Sequence, residues 1–231
     1  MLESLKLSYI FDLQKLVVDL VKCRAKPWKL HFNKKDFTGH WSGFALGSIS
    51  ESESDILATP NANFKDTPTL SKCLYFKEII DSFQCEKEAV RLLSLSSNSY
   101  IKEHRDYASC YENGFFRIHI PIQTNDKVIF TVNQKPLPIW EGECWYANFD
   151  LLHFVSNEGA TDRIHLVIDC LRNEWSDKLF ATLGYDFEEE IKSKYGKNTK
   201  LMMIEQLSLM KTETADNLIK KLREELAMIE S

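Results

Sequence analysis

His104 and Asp106 stand one residue apart at the head of the stretch HRDYASCYENGFFRIHIPIQTND, residues 104–126. In an extended chain alternate residues share a face, so this imidazole and this carboxylate point the same way. A pair at that spacing grips two adjacent positions of a metal ion. A third ligand must come from elsewhere, and His153 in DLLHFVSN is the candidate. Two histidines and one carboxylate on one face of an ion leave three positions open, which is what O2 chemistry at iron requires. Taken alone, His-x-Asp fits a hydrogen-bonded surface pair equally well.

A second pattern occurs twice. Arg117 and His119 share one face of a strand-like run whose other face is Phe116, Ile118, Ile120 and Ile122. Arg163, His165, Val167 and Asp169 share a face of another run, against Ile164, Leu166 and Ile168. A buried arginine without an anionic partner is strongly unfavourable. A dicarboxylate ligand would supply that partner through a forked salt bridge. Pairing with an internal carboxylate is the alternative for Arg117. His165 reads as a satisfied core histidine. His31 and His40 have no second ligand at metal spacing and read as structural.

The elements that must carry these residues are mostly strands. Between about 88 and 172 the runs AVRLLSLS, SYIKEHRDY, FFRIHIPIQT, KVIFTVN, GECWYANF, HFVSNE and RIHLVIDCL are short, apolar on one face and separated by turn residues. That pattern predicts an antiparallel barrel or double-sheet jelly roll, which brings distant strands together across a narrow interior. Before it, the spacing of Ile10, Leu13, Leu16, Val17, Leu20 and Val21 predicts an amphipathic helix over 8–25, ended by Pro27. Residues 28–47 are aromatic and β-like. Residues 48–70 are polar, and a loop of that length is either a lid or a solvated insertion. A helix is expected over 71–84, burying Leu74, Ile79, Ile80 and Phe83. The chain reverts to helix after 173, where Leu218, Ile219, Leu222, Leu226 and Ile229 share a face. The expected organisation is a jelly-roll domain with an N-terminal helix over 1–172 and a helical extension over 173–231.

Composition narrows the class. The chain has 231 residues, 44% of them hydrophobic, enough for one large core. A net charge of −5 argues against non-specific nucleic-acid binding and against anionic membrane surfaces. Charged residues interrupt the apolar N-terminus too often for a signal core or a membrane span. Six cysteines (23, 73, 85, 110, 144 and 170) contain no CxxC pair, which argues against structural zinc and for reduced thiols in a cytoplasmic protein.

With these motifs in place the sequence resembles the aspartyl/asparaginyl β-hydroxylase family of Fe(II)/2-oxoglutarate oxygenases. The resemblance covers roughly residues 35–172 and rests on HWSGFAL, FKDT, VRLLSLSSNSYIKEHRDY, FRIHIPIQTND and WEGECWYANFDLLHFVSNEGATDRIHLVID. It implies a double-stranded β-helix, or cupin-like, core. It implies that His104 and His153 bind Fe(II), that Arg163 holds the distal carboxylate of 2-oxoglutarate, and that Arg117 and His119 contact the co-substrate or the substrate carboxylate. Well-known animal members lack the carboxylate ligand. Asp106 stands in that place here, which makes the chain similar to the bacterial subgroup that hydroxylates free amino acids such as proline.

The resulting expectation is a 2-oxoglutarate-dependent dioxygenase with metal ligands His104, Asp106 and His153. It consumes O2, hydroxylates an unactivated carbon of an amino acid or of an Asp/Asn/Pro-type residue, and releases succinate and CO2. Trp41, Asp66, Thr67 and Arg91 are the expected substrate selectors by placement, and the C-terminal helices read first as packing helices that cap the barrel, with a homodimer contact or part of a substrate lid as the alternatives. The alternatives are a peptide or protein hydroxylase and a non-catalytic metal-binding cupin serving as sensor or scaffold. A halogenase is disfavoured, because Asp106 occupies the position halide would need.

Overall fold

The computed structural model describes residues 2–59 and 64–229. They form two compact units, 2–183 and 184–229. Among the described residues no helix is long and apolar enough to cross a membrane.

The first unit opens with a departure from the expected helix. Strand β1 (Ser4–Ile10) takes the start of the segment, and helix α1 (Leu13–Arg24) begins only after Asp12. SLKLSYI alternates in the strand period, and β1 pairs antiparallel with β11 (Glu143–Ala147). Asp12 then caps α1 by accepting hydrogen bonds from the Gln14 and Lys15 amides. The buried face of α1 is Leu16, Asp19, Leu20 and Cys23, rotated from the predicted stripe; Leu13, Val17 and Val21 stay exposed.

Asp19 explains the rotation. Helix α2 (Leu74–Ser82) has no capping side chain of its own, and the Asp19 carboxylate accepts from its Tyr75 and Phe76 amides at 2.9 and 3.0 Å. Within α2 the buried residues are Phe76, Ile79 and Ile80, followed by Phe83. Leu74, expected inside, is 73% exposed because it starts the helix on the solvent side.

Strands β2 (Lys29–Leu30), β4 (Trp41–Ser48), β5 (Lys65–Asp66), β6 (Lys87–Leu95), β8 (Phe115–Gln123) and β13 (Arg163–Leu171) join β1 and β11 in an eight-stranded sheet. Its main order is β1-β11-β8-β13-β6-β4-β2, with β5 on β4. Strands β10 (Lys135–Pro136), β9 (Val128–Val132), β12 (His153–Asn157), β7 (Ser99–His104) and β3 (Phe37–Thr38) form the second sheet in that order. Every pairing is antiparallel. Two facing antiparallel sheets make the predicted jelly roll.

The isoleucine face of β8 and β13 turns to the outer side of the sheet, where α1 packs on β8, and the Arg/His face turns into the space between the sheets. The apolar part of that interior is Trp41, Leu93, Leu95, Ile101, Phe130, Val132, Phe149, Val155 and their neighbours. Helix α3 (Glu174–Thr182) stays with the strands. An Asn173/Ser176 capping box starts it, and Phe180 stacks on Tyr111 at 3.8 Å. The division therefore falls after Leu183 rather than at the expected 172/173.

Of the expected 48–70 loop, residues 60–63 lie outside the described residues, and the described parts, 48–59 and 64–70, are more ordered than their composition predicts. Ile56 is buried, Glu53 accepts from the Ala45 amide at 2.9 Å, and β5 adds to the sheet. In the second unit α4 (Phe187–Tyr195), α5 (Lys197–Met210) and α6 (Glu213–Ile229) follow one another, and Lys200 pairs with Glu225 at 3.0 Å across α5 and α6. Leu218, expected on the buried face of α6, is half-exposed.

Candidate metal centre and anion pocket

His104 ends β7 and His153 begins β12, and the two are direct cross-strand partners. Asp106 lies two residues beyond the end of β7, so strand alternation does not place it. A backbone clamp does. The Asp106 amide donates to the Phe149 carbonyl at 2.9 Å, and the Phe149 amide donates to Ser109 at 3.1 Å. Arg105 forks onto Asp150 at 2.9 and 3.2 Å, and the same carboxylate accepts from the Ala108 amide. Residues 105–109 are thus zipped to 148–150, which sets Asp106 beside both imidazoles.

The three side chains bring one ligand atom each to within 4.8 Å of one another. The imidazole centroids are 4.1 Å apart, and His104 Nε2 lies 3.7 Å from Asp106 Oδ1. His104 Nδ1 is 2.7 Å from the Lys102 carbonyl and His153 Nδ1 is 3.0 Å from that of Leu151. A carbonyl only accepts, so both Nδ1 atoms carry hydrogen and both Nε2 lone pairs are free for a metal. Arg117 Nη1 donates to Asp106 Oδ2 at 3.0 Å and leaves Oδ1 facing the histidines. Burial pushes His153 down to about 4, so it stays neutral and ligating. Burial raises Asp106, but Arg117, His153 and His104 outweigh it and hold the carboxyl below its usual range. The donor set of two neutral imidazoles and one carboxylate, already oriented, fits a divalent transition metal.

Arg117 also forks onto Asp169, from Nε at 2.6 Å and Nη2 at 3.2 Å. Arg91 donates to the same carboxylate at 2.7 Å and to the Ile56 carbonyl at 3.1 Å. The internal-carboxylate alternative therefore holds for Arg117. Burial opposes the charge on both residues of the Arg117–Asp169 pair. Mutual attraction wins, raising Arg117 and lowering Asp169.

Arg163 is the odd cation. It opens β13, is 3% exposed, and pairs with no carboxylate among the described residues: Asp106 and Asp169 are taken by Arg117 and Arg91. Its Nη2 lies 3.0 Å from His165 Nδ1, its Nε is buried without a partner, and its guanidinium sits 5.2 Å from the Phe130 ring. Burial alone pushes it down to about 9. Arg163 and His165 line a cavity of about 330 Å³ together with Phe130, Leu137, Ile139 and Trp140 and with the polar residues Thr124, Asn125 and Asp126. Ring contacts connect this cavity to the triad, since Phe149 lies 4.7 Å from His153, 5.1 Å from His119 and 6.2 Å from Phe130.

The expected substrate selectors separate into two groups. Arg91 joins the arginine cluster. Trp41 flanks Leu95 from β4 while Arg163 flanks it from β13, and its indole stacks on His31 at 3.4 Å. Asp66 instead pairs with half-buried Lys77, and the Thr67 hydroxyl lies 3.0 Å from the Leu46 carbonyl, so the structure uses both to fasten the sheet edge. Sequence reasoning missed His31 and Asp169. Burial and then Arg91 lower His31 to about 4, with Asp106, Arg117 and His104 also acting on it, which puts it beside the cluster. No spacing announced it. Asp169 was visible as a carboxylate on the Arg163 face, but only the β8–β13 register, which pairs it with Arg117, gives it a role.

Residues 14–173 match the family model of the aspartyl/asparaginyl beta-hydroxylases. A curated relative, the L-proline cis-4-hydroxylase of Rhizobium meliloti (strain 1021), is 29% identical over 163 residues. Those residues are 69% of this chain and 57% of the relative, so the chain spans little more than half the length of that protein. A 2OG-Fe(II) oxygenase family oxidoreductase from Burkholderia pseudomallei superposes with a TM-score of 0.49 at 15% identity, covering 71% of this chain and 82% of the other. HygX from Streptomyces hygroscopicus, solved with nickel and 2-oxoglutarate, gives 0.48 at 8% identity, covering 74% and 83%.

Proposed function

We propose, for a chain that belongs to the aspartyl/asparaginyl β-hydroxylase family, the reaction of an Fe(II)- and 2-oxoglutarate-dependent dioxygenase that hydroxylates a free amino acid. The observation that carries this reading is a buried, anion-less Arg163 in the same interior as a preorganised His/Asp/His triad.

His104 and His153 would hold iron through Nε2, and Asp106 through Oδ1. Iron held there supplies O2 activation coupled to decarboxylation of 2-oxoglutarate to succinate and CO2, with one oxygen atom going to succinate and the other to a substrate carbon. The protein contributes position and environment. Arg117 fixes the Asp106 carboxylate so that one oxygen faces the metal position. Arg163 offers a free Nε–H and a planar fork to the distal carboxylate of 2-oxoglutarate, and that anion supplies the charge the interior lacks. Phe130 and Phe149 keep the space between the two ends apolar, which strengthens each charged contact and excludes water.

An amino-acid substrate is supported by the named activity of the curated relative and by the presence of Asp106. His31, Trp41 and the Arg91-tethered 52–57 segment would wall the substrate side, and Arg91 or Arg117 would sit closest to its α-carboxylate. Six free thiols support a cytoplasmic location. Exposed Leu201, Met202, Leu209 and Leu218 support a homodimer through the C-terminal helices, which light scattering would test. The deciding assay is succinate release with Fe(II), 2-oxoglutarate and O2 across free amino acids and matched blocked peptides. Stimulation by a free amino acid above any peptide containing it is expected. Preference for blocked peptides would make the enzyme a peptide hydroxylase, and no succinate with any substrate would leave a binding protein.

A further inference from the structure

Two nitrogens approach His165 Nδ1 beside the anion pocket. Arg163 Nη2 is 3.0 Å from His165 Nδ1, and His119 Nδ1 is 3.2 Å from the same atom. A guanidinium only donates, so His165 Nδ1 carries a lone pair. The hydrogen between the two histidines must then sit on His119 Nδ1. A neutral imidazole with its hydrogen there has its lone pair on Nε2. That atom of His119 is buried and has no partner among the described residues, in a residue only 5% exposed. The ligand-free interior therefore presents a buried acceptor next to the buried guanidinium.

The proposed function puts 2-oxoglutarate into this interior. At neutral pH that molecule offers acceptors only: two carboxylates and a ketone. An acceptor set against the His119 lone pair would leave both groups unsatisfied in a dry site, which costs more than an unmade hydrogen bond in water. A neutral His119 could offer Nε2–H only by giving up Nδ1–H. That would oppose two lone pairs across the 3.2 Å gap while Arg163 holds His165.

We propose that His119 takes up one proton from solvent as 2-oxoglutarate binds, and that His165 is the positioning residue that imposes this by holding His119 in its Nδ1–H tautomer. The proton adds to Nε2, which turns from acceptor to donor toward a carboxylate oxygen, and no other bond changes. This inference rests on the proposed function. The groups acting on His119 in the free protein are Arg163 from β13, Arg117 from its own strand, Arg91 from β6 and His153 from β12; His165 touches it, and Phe130 and Phe149 complete its surroundings. Burial first, and then the three guanidinium groups, keep it neutral when no ligand is present. A dianion bound on Arg163 reverses that balance.

The test uses the full chain loaded with Zn(II), which is diamagnetic and redox-silent. Imidazole ¹⁵N spectra should show His119 Nε2 unprotonated before 2-oxoglutarate is added and protonated at saturation. Calorimetry in buffers of differing ionisation enthalpy should give about one proton taken up per 2-oxoglutarate, and affinity should fall by up to about tenfold per pH unit above neutrality. His119→Gln should bind without uptake and without that pH dependence. In His165→Phe, with no acceptor left for Nδ1, His119 should carry Nε2–H before the ligand arrives, and uptake should disappear although His119 is intact. Should the Phe variant fail to fold, the wild-type spectra and His119→Gln still decide. Binding with no net uptake, or a His119 Nε2 already protonated in the free wild type, overturns the inference while leaving the proposed function standing. An absence of any 2-oxoglutarate binding overturns both.

Discussion

Replacing Arg163 by methionine should strengthen the ligand-free fold while removing the co-substrate site. Lowering the guanidinium from 12.5 to about 9 corresponds to a penalty of about 5 kcal/mol for holding it charged. The Phe130 face returns up to about 2 kcal/mol of this. The hydrogen bond to His165 returns about 1.5–3 kcal/mol. Methionine fills much of the volume and carries no charge, so the metal-loaded variant without 2-oxoglutarate should gain about 1–2 kcal/mol. That is roughly 2–8 °C in thermal midpoint for a chain of this size. The folded pKa lies below the unfolded one, so the penalty is complete below pH 9 and is relieved between pH 9 and 12.5. The advantage of the variant should shrink accordingly as pH rises past 9. With 2-oxoglutarate present the order reverses. Losing a charged, hydrogen-bonded contact in a buried site costs about 2–5 kcal/mol, or roughly 30- to 5000-fold in affinity. Lysine should rescue only part of it, because it lacks the fork. Thermal unfolding with and without 2-oxoglutarate, with calorimetry for affinity, reads both effects. A methionine variant that is less stable than wild type without ligand would refute the argument that Arg163 lacks an anion. Unchanged 2-oxoglutarate affinity would refute its assigned role.

Asp169→Asn takes the shared charge from Arg91 and Arg117 and should destabilise by about 3–5 kcal/mol, roughly 1–2 M in urea midpoint; a shift under about 0.3 M would mean the cluster contributes little. His104→Ala and His153→Ala should abolish Mn(II) binding, whereas Arg117→Lys, which keeps the charge but loses the fork that joins Asp106 to Asp169, should cost about 10–100-fold. Calorimetric Mn(II) binding retained in His153→Ala would dismiss the triad. His31 is lowered to about 4, and His119 and His165 well below their usual value, chiefly by burial. The unfolded chain therefore takes up these protons first, near pH 6.5, and ligand-free stability should fall as pH drops from about 6.5 toward 4, by up to about 1.4 kcal/mol per pH unit for each histidine. A thermal midpoint that stays flat from pH 6.5 to 4.5 would show that these rings are not buried.

Seven strand runs from AVRLLSLS to RIHLVIDCL were legible because period-2 alternation is a local property, and each contains a strand, although the run SYIKEHRDY leaves its strand after His104, before Asp106. The Arg/His face of β8 and β13 turned inward as its isoleucine partner face required. The N-terminal segment misled because Ile10 and Leu13 fit a helical stripe as well as they fit a strand end followed by a helix start. The Asp12 cap marks where one gives way to the other. Short β10 carries too few residues to have a period at all.

The sequence by itself determined which residue types could do chemistry and in what order they come: His-x-Asp, Arg-x-His, His, Arg. It also determined that strands carry most of them. Only the tertiary structure decided how charge is shared. Arg117 and Arg163 open the same Arg-Ile-His motif, yet one is satisfied by Asp169 and Asp106 and the other by no carboxylate. The reason is register. Pairing β8 with β13 sets Asp169 opposite Arg117, while Arg163, six residues back along β13, falls opposite Leu95 of β6 and beside apolar rings. Alternation along a strand is written in the strand itself. The partner across from it is set by the whole sheet, and no single segment carries that information.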